Sequence, residues 1–235
     1  MLTYEQFLLE GLFELPENSF DNFYNYIYQS VRYLPNGNEN MSKEKATIKA
    51  KKIYDRFNTL SFKKWFDGSK VVTDEKFGGD GTPLMVYHSS YSNFSTFNTP
   101  AFFGGSNPNS YGGEHYYYCV LQLKNPLEMR QSELGHDKWM KLVSDILKDS
   151  PRFDYRIEFA EKYADAYGFF KLLSGEKFGD PYRWDLVYKY INEHGYDGAI
   201  YRESDQTINY YFDGYLVMKP EQIKIVYKQS MIEDD

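Results

Sequence analysis

The stretch "PLMVYHSSYSNFSTFNTPAFFGGSNPNSYGG", from Pro83 to Gly113, holds the residue types best suited to bind or transform a ligand. His88 closes an apolar run, and Ser89 and Ser90 follow it at once. An imidazole can donate a hydrogen bond in either protonation state, and a serine hydroxyl can donate and accept. A glycine-rich, aromatic-rich loop comes directly after. Other reaction classes find less support. His115, His136 and His194 do not fall at metal-ligand spacing, so no metal is expected, and surface or capping roles are expected for them. Cys119 stands among strand formers with no base beside it, which argues against a thiol nucleophile. "GGDG" and "FGGSNPN" carry glycines but lack the lysine and following helix of a phosphate loop. "FKKWF" reads as Phe62, Trp65 and Phe66 on a core with the lysines in water.

Composition narrows the class further. The chain has 235 residues and a net charge of -7, so no diffuse positive field exists to hold a nucleic-acid backbone, and bulk nucleic-acid binding is not expected. A single cysteine excludes internal disulfides and cysteine-built zinc sites and suits a reducing cytoplasm. No run reaches the roughly 18 apolar residues of a membrane helix, and the first residues carry acids where an export signal would carry bases. No membrane partner is expected. The 24 tyrosines and 18 phenylalanines match the codon bias of an AT-rich genome, so few of them need be functional.

The elements that must position His88 follow from periodicity. Phe20, Phe23, Ile27 and Val31 lie at helical spacing after a cap at Asn18 or Ser19, and Ala46, Ala50, Ile53 and Phe57 mark a second helix from about Ser42 to Asn58. "PNGNEN" breaks the two. Residues 1 to 60 are therefore expected as a helical appendage, with the main domain over 61 to 235. Val71–Val72 and Leu84–His88 read as strands, and His115 to Leu123 as a longer one stopped by Asn125 and Pro126. Three helical faces follow: Trp139, Leu142 and Ile146; Phe159, Tyr163 and Ala166; Trp184, Val187 and Ile191, the last ended by a left-handed Gly195. "YDGAIYRE", "TINYYFDG", "YLVMK" and "IKIVYKQ" close the chain as strands. Strands at both ends with helices between predict an α+β fold on a mainly antiparallel, split sheet with a helical insert.

Three segments, "FKKWFDGSKVV…GTPLMVYHSS", "YYYCVLQLKNPL" and "GYDGAIYRE…YLVMKPEQIK", together resemble the ADP-ribosyltransferase-like domains of phage and mobile-element polyvalent proteins. These are similar to the diphtheria-toxin and poly-ADP-ribose polymerase branch, whose signature residues are His, Tyr and Glu. The resemblance spans roughly Phe62 to Tyr227.

The resemblance implies NAD as substrate and an oxocarbenium-like transition state served mainly by positioning and electrostatics. His88 takes the place of the histidine that holds a hydroxyl of the adenosine ribose. Ser89, where glycine is common, would offer its backbone to the nicotinamide amide, and Ser90 its hydroxyl. Phe103 stands as the strand-end aromatic and Tyr111 as the ring stacked on nicotinamide, over an interval about two residues shorter than usual, with Tyr116 and Tyr117 as alternatives. The family glutamate falls on Gly214. Asp213 could replace it across a glycine bulge, Glu203 or Asp205 could supply a carboxylate instead, or none is present; Gln222 closes a turn. The implied function is NAD-dependent mono-ADP-ribosylation of a host macromolecule, a protein in the first instance, in the host bacterial cytoplasm or from the virion. The alternative is an inactive NAD-binding, ADP-ribose-binding or protein-interaction module of the same fold.

Overall fold

The computed structural model describes residues 22–34, 37–73, 81–105, 112–173, 183–205 and 210–230. They form an α+β protein with seven α-helices and seven strands among the described residues. The chain divides into two compact units. The first comprises Met1–Thr99, Gly105–Gln122 and Lys219–Asp235; the second comprises Pro100–Gly104 and Leu123–Met218.

In the first unit, α1 (Asn22–Arg32) buries Phe23, Ile27 and Val31 at four-residue spacing, together with Tyr24 and Tyr28. α2 (Lys43–Phe57) presents Ala46, Ala50 and Ile53 to the same core, the alanines permitting close approach of the helices. Its flanks, Ser42 and Asn58, fall where the sequence places them. α3 (Leu60–Phe66) starts at Thr59, whose hydroxyl accepts from the Phe62 amide at 3.2 Å and satisfies one orphan N–H of the first turn. Phe62 is buried, Trp65 and Phe66 are half-buried and both lysines between them are exposed, as the amphipathic reading requires.

The helices pack on a three-strand ladder in which β3 (His115–Leu121) lies between β1 (Val86–Ser90) and β7 (Ile223–Ser230), both antiparallel to it. All seven residues of β3 are buried, which explains its unbroken run of strand formers. Tyr87, Tyr116, Tyr118 and Val120 join the helical core, while His88 pairs across with Tyr117 on the other face. Val71 and Val72 do not form the expected strand: Val72 makes an isolated bridge to Pro83.

In the second unit, β6 (Tyr210–Val217) pairs antiparallel with β2 (Ala101–Gly104) and β5 (Gly198–Asp205). One pair within this mainly antiparallel pattern is parallel, the two-residue β4 (Leu127–Glu128) on β5. β6 also corrects the sequence reading of two strands, because it passes through Gly214 without a break. α4 (Gln131–Leu134), α5 (His136–Leu147), α6 (Phe153–Leu173) and α7 (Trp184–His194) cover one face of this sheet. Their buried stripes include Trp139, Leu142 and Ile146, and Trp184, Val187 and Ile191. α7 ends in Gly195 at φ 72°, ψ 25°, whose N–H caps the Ile191 carbonyl.

The motif residues behind the resemblance stitch each unit together. Asp197 accepts from the amides of Lys124 and Asn125 at 2.6 and 3.1 Å, joining the turn before β4 to the start of β5. Gln222, in the 3-10 turn Pro220–Gln222, accepts from the Lys219 amide at 2.9 Å and donates to the Gln122 carbonyl at 3.2 Å.

Candidate functional site

The residues singled out in the sequence fall in both units. In the first, His88 is half-buried near the end of β1 and stands in an aromatic box. Its ring meets Phe97 edge-on at 5.1 Å, with Phe94 and Tyr117 at 6.1 and 6.2 Å. Phe94 stacks on Tyr117 at 4.2 Å. The Tyr117 hydroxyl accepts from the Phe94 amide at 2.8 Å and donates to the Ser92 carbonyl at 3.2 Å, so β3 fastens the loop that carries the box. Burial raises the Tyr117 phenol above its ordinary value, against the Phe94 hydrogen bond that lowers it, which keeps it a neutral donor.

The serines next to His88 differ in surroundings. Ser90 Oγ accepts from the Ser92 amide at 3.0 Å, which leaves its own proton to donate. Ser89 Oγ is buried and has no hydrogen-bond partner among the described residues. Gly113, at φ 117°, lies so close to the strand end that a Cβ there would sit 2.9 Å from the Ser90 nitrogen; glycine is required on both counts. Tyr111 lies outside the described residues.

In the second unit the register of β6 decides which acid is available. Gly214 pairs with Tyr201 of β5, and the Tyr201 side chain belongs to the core under the helices. Asp213 pairs with Arg202 and alternates to the opposite face, the face shared by Phe103 and Tyr215. Phe103 itself is buried. Glu203 returns to the Gly214 face, where it accepts from the Tyr201 hydroxyl at 3.5 Å; it is not brought together with Asp213. The Asp205 side chain lies outside the described residues.

Two partners of Asp213 were not visible in the sequence. Arg130 grips Glu128 through two nitrogens, at 2.8 and 2.6 Å, and reaches Asp213 Oδ2 at 2.6 Å, while Arg202 stands 3.8 Å from Asp213 Oδ1. Burial acts to lower the Arg130 pKa, but its hydrogen bonds to Glu128 and the charges of Asp213 and Glu128 outweigh it and hold the guanidinium above its ordinary value. For Asp213 the balance is opposite: burial raises its pKa and exceeds the pull of Arg130 and Arg202. "LEMR" carries no motif that signals this cluster.

The other titratable candidates have structural duties. Cys119 is buried and burial pushes its thiol up, away from thiolate chemistry. His115, expected at a surface or cap, is instead buried with Nδ1 2.9 Å from Ser230 Oγ. His136 lies 3.2 Å from Gln131, and His194 Nδ1 donates to the Tyr190 carbonyl at 2.9 Å. Among the described residues no group of His, Cys, Asp and Glu could hold a metal ion, and no helix is long and apolar enough to cross a membrane.

No family model and no curated protein matches the chain. A solved structure titled "Crystal structure of an anti-CRISPR protein" aligns with 60% of this chain and 93% of its own, at 12% identity and a TM-score of 0.33.

Proposed function

We propose that the chain is a NAD-dependent mono-ADP-ribosyltransferase acting on a host protein in the bacterial cytoplasm, with Asp213 as its carboxylate. The observation that carries this reading is the alternation of β6, which turns Asp213, and not Gly214, toward the face away from the helices. The family resemblance lacks a glutamate at Gly214, and β6 has none of the expected bulge there, so Asp213 offers its carboxylate on the opposite face from the Gly214 position. In the proposed reaction the bond between ribose C1′ and the nicotinamide nitrogen breaks, the electron pair leaves with nicotinamide, and the ribose passes through an oxocarbenium-like state. Asp213 Oδ1 accepts from a hydroxyl of that ribose and opposes the growing positive charge. An acceptor atom of the target then bonds to C1′ and gives up its proton to solvent.

A second reading, binding of NAD or ADP-ribose without turnover, is favoured by the Arg130 contact, which occupies Oδ2 of the Asp213 carboxylate. One experiment separates the two. The purified chain is incubated with NAD labelled in the adenylate half, with and without host lysate, and nicotinamide release and label transfer are followed. The transferase reading expects both, with Asp213→Asn slowing nicotinamide release by about 100-fold, His88→Ala weakening it, and Glu203→Gln leaving it unchanged. Saturable NAD binding without nicotinamide release establishes the second reading, and neither binding nor release refutes both.

A further inference from the structure

β7 is the last strand of its ladder: it pairs with β3 and no described strand follows it in the sheet order. Its register fixes which backbone groups look outward. The Gln122 amide donates to the Gln222 carbonyl at 2.8 Å, so these two residues form a hydrogen-bonded pair. Antiparallel pairs alternate, which makes Val120 and Lys224 the next bonded pair and turns the backbone groups of Ile223 and Ile225 away from β3. The Ile223 N–H is taken by the Pro220 carbonyl. The Ile223 carbonyl and both backbone groups of Ile225 therefore face the sheet edge.

On both sides of this short stretch the edge is already closed. Trp65 Nε1 donates to the Glu221 carbonyl at 3.1 Å, and Arg56 donates to the Val226 carbonyl at 2.9 Å. Between these two caps lies a cleft of about 530 Å3, walled by Arg56, Phe57 and Phe62 on one side and by Ser95, Thr96 and Phe97 on the other. An open sheet edge invites pairing, and proteins that do not use one normally cover it along its length. Here two side chains cover the flanks and leave the middle at the bottom of a groove.

The charge of the groove selects the occupant. The Arg56 guanidinium lies over the Phe57 ring at 5.1 Å and the Lys224 ammonium over the Trp65 ring at 4.7 Å. Neither has a carboxylate partner among the described residues, in a chain whose net charge is -7. We propose that the β7 edge is a docking groove for an extended, acidic segment of a partner protein, which adds as a strand at Ile225 and places carboxylates against Arg56 and Lys224. Backbone pairing supplies the affinity and alternate side chains the selection, as in other cases of strand addition. The groove lies wholly within the first unit, and the proposal holds whether or not the chain turns over NAD.

The test uses the full chain and fluorescein-labelled hexapeptides in which Val alternates with Asp or Glu, beside a matched set with Asn and Gln, read by fluorescence anisotropy. The acidic set is expected to bind, the amide set to bind about tenfold more weakly or not at all, and N-methylation of alternate peptide amides to abolish binding. Lys224→Glu is expected to reverse the preference between the sets. Ile225→Pro removes an N–H that the β3 ladder does not use, so it is expected to leave the fold intact and cost about tenfold in affinity. Absence of binding by every acidic peptide, or binding indifferent to N-methylation and to both substitutions, overturns the proposal. So does a dimer of this chain that Ile225→Pro dissolves, since that assigns the edge to a second copy.

Discussion

Gly214→Ala is the sharpest perturbation of the strand that carries the proposed carboxylate. A Cβ at this position would stand 2.4 Å from Cε2 and Cζ of Tyr201 and 2.8 Å from its hydroxyl. The ring has little room to retreat: it is 1% exposed, with Trp184 at 5.6 Å and Phe102 at 6.4 Å. Forcing a methyl into a filled core site costs about 1–3 kcal/mol, and the rigid neighbour places this case near 2–3 kcal/mol. For a chain of this size that lowers Tm by roughly 5–10 °C. Urea unfolding followed by circular dichroism measures it directly. Tyr201→Ala alone is expected to cost about 3–5 kcal/mol through the cavity it leaves, but in that background Gly214→Ala should cost nothing, a coupling of about 2 kcal/mol. Equal penalties in the two backgrounds, or a Gly214→Ala change within about 0.5 kcal/mol of the parent, would refute the packing account. The same geometry bears on chemistry. Gly214→Glu places its side chain under the helices, so it should destabilise further and give no gain in nicotinamide release over the parent.

Two more outcomes are expected. Because burial raises the Asp213 pKa above 3.8, the folded chain holds that proton more tightly than the unfolded one; the carboxyl's contribution is complete below the ordinary carboxylate pKa and fades as pH rises through the folded value. The stability of the parent minus that of Asp213→Asn should therefore fall across this window, and a rise would show that the Arg130 and Arg202 charges outweigh burial. Arg152 is exposed and holds φ 57°, a left-handed conformation that costs a residue with a Cβ about 1 kcal/mol. Arg152→Gly should therefore be more stable than Arg152→Ala, which lacks the same side chain, by about 0.5–1 kcal/mol in denaturant melts, with the Arg156 amide still bonded to the residue 152 carbonyl at 3.0 Å.

Much of the fold could be read from local pattern, and the failures share a cause. α2, α5 and α7 each bury a stripe at helical spacing, and Gly195 ends α7 in the left-handed conformation its position suggests. β4 escaped notice because two residues have no periodicity; its existence depends on β5, far along the chain. "FDGY" reads as a turn because Asp-Gly commonly makes one. The glycine serves a different need, the space occupied by Tyr201, which no local pattern reveals. The Arg130–Asp213 contact joins residues 83 apart, and the box around His88 draws Phe94 and Phe97 from a loop and Tyr117 from another strand.

The residues that carry the family resemblance divide into two kinds, and the division bears on function. Asp197 and Gln222 satisfy backbone groups at strand ends, so any protein with these connections would benefit from them whatever its chemistry. They speak for architecture. His88 and Asp213 lie on the faces turned away from the helical core of their own unit, His88 among Phe94, Phe97 and Tyr117 and Asp213 against Arg130 and Arg202. Holding Asp213 there even incurs a burial cost, which Arg130 and Arg202 offset only in part. Replacing Asp213 alone by an apolar residue would leave Arg130 and Arg202 without their shared carboxylate, so the position gains from such a change only if the arginines change with it. Asp213 therefore has a structural partner as well as a proposed chemical one, and nicotinamide release compared between the parent and Asp213→Asn separates the two roles.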